Sequence, residues 1–461
     1  MADLPFPRSS TPGRLPGEGE GRVINALAEK VGDTFLYRRA PGLTSVASTG
    51  GTGPRALLDV AGTLLAAMNG SVVRRTPANV VTTLSGALPG SDGVTMARNN
   101  RVTAGASTPD VVAVRESGGA YLIDPVALTV APYPDADLPA TVNSVDFLGG
   151  YFLFTVPDGR IFATQLNSTD QNALSFATAE SRADGLVRGI VANGILYACG
   201  SETIEPWVNA GNTPFPLARA TSVIPTGLLT TMAIAGFEQG WSLNPIFVAQ
   251  DGTVHEIRGY ETAPISTPDV ERFIATSTVS TLEACVYTAR GRGFWALSSD
   301  RGTWEYDVAI QSWHERISAG SDRWRASRSA KSGGAWIVGD RLSGALGRVD
   351  ETVRTEFGQS VAWTVESGAL KGFPARVAIP AMMANFTRAD ADVLVERSHD
   401  GGQTWTMPEA RSLADCDKHP VRVNRMGLST HHGLRVRLST SSDAEFSFMG
   451  AAVPDPAERA P

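Results

Sequence analysis

Cysteine is scarce in this chain of 461 residues: Cys199, Cys285 and Cys416 are odd in number, far apart and without Cys-x-x-Cys spacing. They support neither a disulfide framework nor a zinc site, and read as buried free thiols. Long apolar runs are missing as well. Nowhere do about 18 consecutive apolar residues occur, and the opening MADLPFPRSS has no charged start followed by an apolar run, which argues against a helical membrane span and for synthesis and folding in a cytoplasm. Positive charge is not in excess. With a net charge of −7 the whole chain is no grip for nucleic acid, and any DNA contact has to be weak or local. No Gly-x-x-x-x-Gly-Lys-Ser/Thr loop and no Gly-x-Ser-x-Gly elbow occurs, so phosphate-loop and hydrolase chemistry lack their signatures. Helical periodicity is also rare, with VINALAEKV at 23–31 as the main candidate.

What the chain has in quantity is turn formers, 47 Gly and 28 Pro. The average for the two combined is roughly 12% of residues, so this excess favours β-meanders with many tight turns. The segment LPFPRSSTPGRLPGEGEG, with Pro5, Pro7, Pro12, Gly13, Pro16, Gly17, Gly19 and Gly21, cannot hold a helix or a sheet interior and is expected to be an extended arm. Its Gly-x-Gly-x-Gly run has no preceding strand and is no dinucleotide fingerprint. From about residue 55 a unit repeats: apolar strand, polar or Gly-containing turn, second strand. Copies lie at 63–75, 111–124, 151–165, 194–207, 245–259, 293–307 and 334–350, with start-to-start intervals of 48, 40, 43, 51, 48 and 41 residues. A period of about 45 is the size of a four-stranded propeller blade, each hairpin supplying the middle two strands. Asn69-Gly70, Asp158-Gly159 and Asp251-Gly252 are dipeptides that accept positive φ in two-residue hairpins.

The period breaks near residue 355, after which SVAWTVESGAL, RVAIPAMMANF, DVLVERSHDGGQTW, HGLRVRLSTSS and EFSFMGAAV read as strands of a smaller module. The fold class is therefore all-β: a β-propeller of six or seven blades with a C-terminal β-sandwich-like module. The expected division is 1–45 for an extended N-terminal arm and first strand, 46–355 for the propeller, 356–453 for a sandwich-like platform and 454–461 for a tail.

Within the second module SHDGGQTW, residues 398–405, has the spacing of an Asp box, a turn motif of sialidases and other propellers. Ser398, Asp400, Gly402 and Trp405 then form a structural clamp: the Asp accepts backbone N–H groups, the Gly allows a left-handed φ and the Trp packs beneath. Burial of Trp405 alone corresponds to about 4–6 kcal/mol gross. A sialidase additionally needs an Arg triad, a Tyr–Glu pair and an acid. YRRAP at 37–41 only faintly resembles the Arg-x-Pro element, and SSDRGTW at 298–304 is one residue short of a second box. Glu202 with Glu205 and Asp135 with Asp137 are neighbours in sequence, which does not establish a catalytic separation, and solvated turn carboxylates are commoner. Adjacent His431 and His432 on a strand point to opposite faces, against joint metal ligation. No catalytic residue, metal ligand or cofactor is assigned. DRWRASRSAKS offers Arg323, Arg325, Arg328 and Lys331 around Trp324 as a contact for DNA phosphates or an acidic partner, although an edge guarded by charge explains the same residues.

The run NALSFATAESRADGLVRGIVANGILYACGSETIEPWVNAGNTPFPLARA, 172–220, resembles the packaged-DNA stabilisation proteins of short-tailed bacteriophages, also called tail nozzles or tail accessory factors. The GSETIEPW hairpin, with Gly200, Glu202, Glu205 and Trp207, carries the signature. FLYRRAPGLTSVAS at 35–48 resembles the family's Arg-x-Pro-Gly-Leu lead into the propeller, and the strands DVLVERSHDGGQTW and HGLRVRLSTSSDAEFSFMGA resemble its closing segments. The long Pro/Gly arm and the Arg-rich, Lys-poor composition depart from the best-known members. The resemblance implies a non-enzymatic virion protein of the phage tail, assembled in the host cytoplasm as a hexameric ring below the portal and adaptor. It would extend the channel for phage DNA, retain the packaged genome and dock fibres, spikes or a needle. A glycan-binding propeller for host recognition and, behind it, a sialidase-like glycosidase are the rival readings.

Overall fold

The computed structural model describes residues 2–459 except 16, 33, 180, 372–375, 455 and 456, so Pro16 of the arm and residues 455, 456, 460 and 461 of the tail lie outside it. Seven four-stranded antiparallel meanders follow one another along the chain. The first consists of Pro54–Val60, Thr63–Met68, Ser71–Arg75 and Val81–Thr83; the next six begin with the inner strands Val94–Arg98, Ser144–Leu148, Leu186–Ala192, Ile234–Ala235, Glu283–Ala289 and Ala326–Ser332. Each repeated hairpin occupies the second and third strands of its meander. The inner strands stand side by side in a ring, and apolar residues fill the wedges between neighbours, as where Phe152, Phe154 and Phe162 meet Val112 and Val114. This is a β-propeller.

Closure joins the two ends of the repeat region. The seventh meander takes three strands from its own sequence, ending with Ala345–Asp350, and its outer strand is Gly42–Ser48, registered from Asp350 against Gly42 to Ala345 against Ser48. In three of the second-to-third-strand turns the positive φ falls on one residue, Asn69, Gly159 or Gly252. Two consecutive positive φ values occur at Gly118-Gly119, also a second-to-third-strand turn, and where inner strands turn into second strands, for example at Asn193-Gly194 and Gly333-Gly334.

The C-terminal module packs two sheets face to face. One contains Arg22–Ile24, Trp363–Glu366, Arg435–Thr440, Asp392–Ser398 and Glu409–Ser412; the other contains Ala26–Val31, Thr34–Arg39, Ser447–Val453, Arg376–Phe386 and Val421–Leu428. Trp363, Met382, Phe386, Phe446 and Phe448 lie in the shared core. The first sheet runs on into the sixth meander, because Ile24 pairs in parallel with Glu315, and nine strands form one sheet.

One sequence expectation fails at the N-terminus. VINALAEKV is not a helix: Asn25, at φ 48°, divides it into strands belonging to the two sheets, and its side-chain amide donates to the carbonyls of Ile317 (3.1 Å) and Ala362 (2.8 Å). Sheet hydrogen bonds to distant segments override the local period. The Pro/Gly segment is an arm packed against the rest of the chain. Leu4 and Ser10 are buried, Ala2–Asp3 pairs with Ala452 and Val453, and Ser10 lies against Trp313 and Glu315. A helix that the sequence reading missed, Pro268–Thr276, links the fifth and sixth meanders; its signals are Pro at the first turn, Asp269 and Glu271 beside it, and buried Val270 and Ile274 four apart.

Candidate functional site

The 398–405 turn is organised around Asp400. Its Oδ1 accepts the amides of Gln403 and Thr404, both at 3.0 Å, and its Oδ2 accepts the Thr404 hydroxyl at 2.6 Å. Ser398 Oγ accepts the Gly402 amide at 2.7 Å, with Gly402 at φ 102°. Partial burial alone would raise the Asp400 carboxyl, but these donors outweigh it and hold the group down to about 2. Trp405 does not fill the core. It is half-buried, with the guanidinium of Arg437 over its ring at 3.8 Å from the centroid, because the neighbouring strand presents Arg437 there and Trp363 occupies the core. The burial energy expected of Trp405 is correspondingly reduced. Asp400→Ala is expected to cost about 0.5–2 kcal/mol, by analogy with lost side-chain caps. Because the folded carboxyl lies below its ordinary 3.8, its contribution is present above that pH and fades towards about 2. Urea midpoints of variant and parent that coincide at neutral pH would refute the assignment.

The signature hairpin is a second clamp, built on an aspartate outside it. Asp184 Oδ2 accepts the amides of Glu202 and Thr203, each at 2.8 Å, and a Cβ on Gly200 would sit 2.4 Å from that oxygen. Glu205 is buried and accepts the Ser181 amide at 2.7 Å, Trp207 packs edge-on against Phe215, and exposed Glu202 pairs with Arg182. Gly200, Glu205 and Trp207 thus serve the fold of this blade.

The basic segment 323–331 is not a free cationic patch. Glu283 gathers Arg323 at 2.7 Å and Arg328 at 3.2 Å, together with Arg341, and also accepts the Ser327 hydroxyl. Arg325 makes a two-pronged pair with Asp340, at 3.0 and 2.6 Å, and is buried. Trp324 is fully buried and donates to Glu356. Of the four basic residues proposed from sequence, Lys331 alone forms no ion pair among the described residues. The clustered charges are balanced from strands that the local sequence does not show.

On the propeller axis the inner strands enclose a cavity of about 300 Å³. Arg188 projects into it, 6% exposed, with Nη1 on the Thr231 carbonyl at 2.9 Å and its guanidinium over Phe237. Burial pushes the carboxyls of Asp146 and Glu238 up to about 6, although each accepts backbone N–H groups. Side chains cross the bore at both ends. At one rim Arg98 of the second meander donates to Gln239 of the fifth at 3.2 Å; at the other, Met232 reaches Gly93 so closely that a Cβ there would lie 2.1 Å from its Cε. A bore bridged by single side chains at both rims does not pass a nucleic acid.

The glycosidase constellation is absent where the sequence hinted at it. Arg39 is buried, its guanidinium donating to the carbonyls of Ser442 and Val361. Asp135 and Asp137 accept the amides of Gln171 (2.7 Å) and Ala173 (3.3 Å). His431 and His432 sit in a turn, not a strand, and their rings lie together at 4.1 Å, which corrects the opposite-face expectation. Among the described residues no group of three His, Cys, Asp or Glu side chains forms a metal site. Burial pushes the Cys199 and Cys285 thiols up to about 12, and Cys416 is free and half-buried.

A model of the family described as "Bacteriophage P22 Gp10, beta-propeller", a phage-stabilisation family, matches residues 24–354. The chain belongs to that family. The matched span takes in the hairpin of Ala26–Val31 and Thr34–Arg39, the closing strand and all seven meanders, and includes both resembling stretches, 35–48 and 172–220; the resembling strands after residue 354 lie beyond it. As a member of the phage-stabilisation family it is a structural phage protein, and no helix among its described residues is long and apolar enough to cross a membrane. Solved structures similar to it include the computationally designed Ika8 protein, at 12% identity over 70% of this chain and 96% of that one, TM-score 0.40. The WD40 β-propeller domain of Doa1 matches at 12% identity over 67% and 96%, TM-score 0.41, and U3-55K at 10% over 65% and 95%, TM-score 0.39. No curated protein matches the chain.

Proposed function

We propose that the protein is the subunit of a tail nozzle, a hexameric ring seated below the portal and adaptor of a short-tailed phage, which prolongs the DNA exit channel, helps retain the packaged genome and carries fibres, spikes or a needle. Membership of the phage-stabilisation family carries this reading. The bridged bore supports it from another side: a subunit whose own axis is blocked contributes to a channel only by standing beside other copies around a common axis. Heterologous contacts that close generate such a ring. The propeller then acts as a rigid body, the sandwich as a platform for neighbours, and no catalytic chemistry is required. Purified subunit mixed with portal and adaptor rings is expected to assemble into a six-fold ring visible by electron microscopy. A subunit that stays monomeric in that mixture would overturn the proposal.

A further inference from the structure

We propose that the edge strand Val421–Leu428 of the sandwich is a contact for the phosphate backbone of duplex DNA. The strand exposes Arg422, Asn424 and Arg425. Three more arginines are drawn alongside it from other elements: Arg411 Nε donates to the Arg422 carbonyl at 3.3 Å, Arg397 Nη1 to the Arg425 carbonyl at 2.9 Å, and Arg376 Nε to the Ser429 carbonyl at 2.9 Å. Eight residues of strand span about 27 Å. Along it Arg422 and Arg425 are exposed, Arg411 lies beside Arg422, Arg376 sits at the Ser429 carbonyl just past its end, and the Arg397 side chain, 12% exposed, is largely covered.

Among the described residues, Glu409 is the one carboxylate that pairs with these arginines. Glu409 pairs with both Arg397 and Arg411, whereas Arg376, Arg422 and Arg425 form no ion pair among the described residues. The nearest other acids in sequence, Asp415 and Asp417, lie in the loop before the strand and pair with Lys418 and Arg388. Five arginines thus share Glu409 as their one ion-pair partner among the described residues, in a chain whose net charge is −7. Arginines without an ion pair are what the 323–331 segment lacks.

A linear array of planar guanidinium groups suits phosphates presented in series, one per ~3.4 Å along each DNA strand. A protein partner is the poorer fit, because a protein interface needs an apolar centre, and the exposed side chains in the middle of this strand are arginine and asparagine. Charge on an edge strand also discourages sheet-to-sheet association, but that purpose predicts no affinity for DNA.

The proposal rests on the nozzle reading and names the surface that meets DNA; it is tested on the full chain without assembly, so the two can fail separately. Fluorescence anisotropy with a random duplex of roughly 30 base pairs, between about 50 and 200 mM salt, measures the affinity and its salt slope. Arg422→Gln and Arg425→Gln are each expected to reduce the slope by about one, and R422E/R425E to weaken binding at the lowest salt by about tenfold or more. Arg258→Glu, exposed on the fifth meander, is expected to change nothing. R422E/R425E is also expected to enter rings with portal and adaptor as the parent does. Absence of salt-dependent binding by the parent, equal binding by R422E/R425E, or equally tight binding of poly-glutamate would each overturn the assignment, the last in favour of an acidic protein partner. The two Gln variants keep the test decisive where the double reversal fails to fold.

Discussion

Glu283→Gln is expected to destabilise the protein by about 3 kcal/mol, the lower end of the range for breaking a buried ion pair. The Glu283 side chain is 14% exposed and holds three arginines that are themselves 25%, 14% and 14% exposed, Arg323, Arg328 and Arg341. The amide keeps a hydrogen-bond acceptor but removes the charge, leaving three guanidinium groups crowded together in a partly dry space. Burial alone would raise the Glu283 carboxyl; the guanidinium groups of Arg341, Arg328 and Arg323 outweigh it and bring the group down to about 2. Since the folded value lies below the ordinary 4.5, the carboxylate's stabilisation is complete above that pH and is lost as pH falls towards about 2. Parent and variant should therefore differ most at neutral pH and converge on acidification. Guanidinium unfolding at neutral pH and near pH 3 checks both the size and the direction, and a gap that widened in acid would contradict this account.

Removal of residues 2–48 is expected to abolish the folded monomer. The deletion takes away the outer strand of the seventh meander and leaves the full length of Ala345–Asp350 as an open edge beside the first meander. It also removes Ala2–Asp3, Arg22–Ile24, Ala26–Val31 and Thr34–Arg39, four strands of the two sandwich sheets, and takes apolar residues out of both cores, including Leu43 and Val23. Losses on this scale exceed the roughly 5–15 kcal/mol by which a domain is stable, and open sheet edges invite aggregation. Size-exclusion chromatography and circular dichroism give the readout: a soluble, monomeric, β-rich product would show that closure and sandwich do not depend on this segment.

The seven hairpins were legible because each is local. Two apolar strands and a polar turn lie within about 15 residues, and the period repeats the signal. The closing strand was not, since its partner is about 300 residues away and LTSVAS reads like any short strand. The Asp400 clamp was visible in its spacing, yet Trp405 was misplaced because Arg437, the residue that covers it, comes from another strand. Arg323, Arg325 and Arg328 looked free because Glu283 and Asp340 stand on other strands. Conversely, Arg376, Arg397, Arg411, Arg422 and Arg425 gave no cluster in the sequence and meet along one edge only after the sandwich forms. Charge is the property that linear reading handles worst, for its balance is struck in space.

The nine-stranded sheet has a mechanical consequence. Where the sixth meander meets the sandwich, Ile24 pairs with Glu315, the Asn25 amide donates to the Glu315 carbonyl at 2.9 Å, and the Glu315 carboxylate receives Ser10 at 2.6 Å and Arg22 Nε at 3.0 Å. These bonds cross the seam between two bodies that a flexible linker would otherwise join. Torque on the sandwich is expected to pass into the propeller through this bridge and the bonds gathered on Glu315, so that the pair turns together.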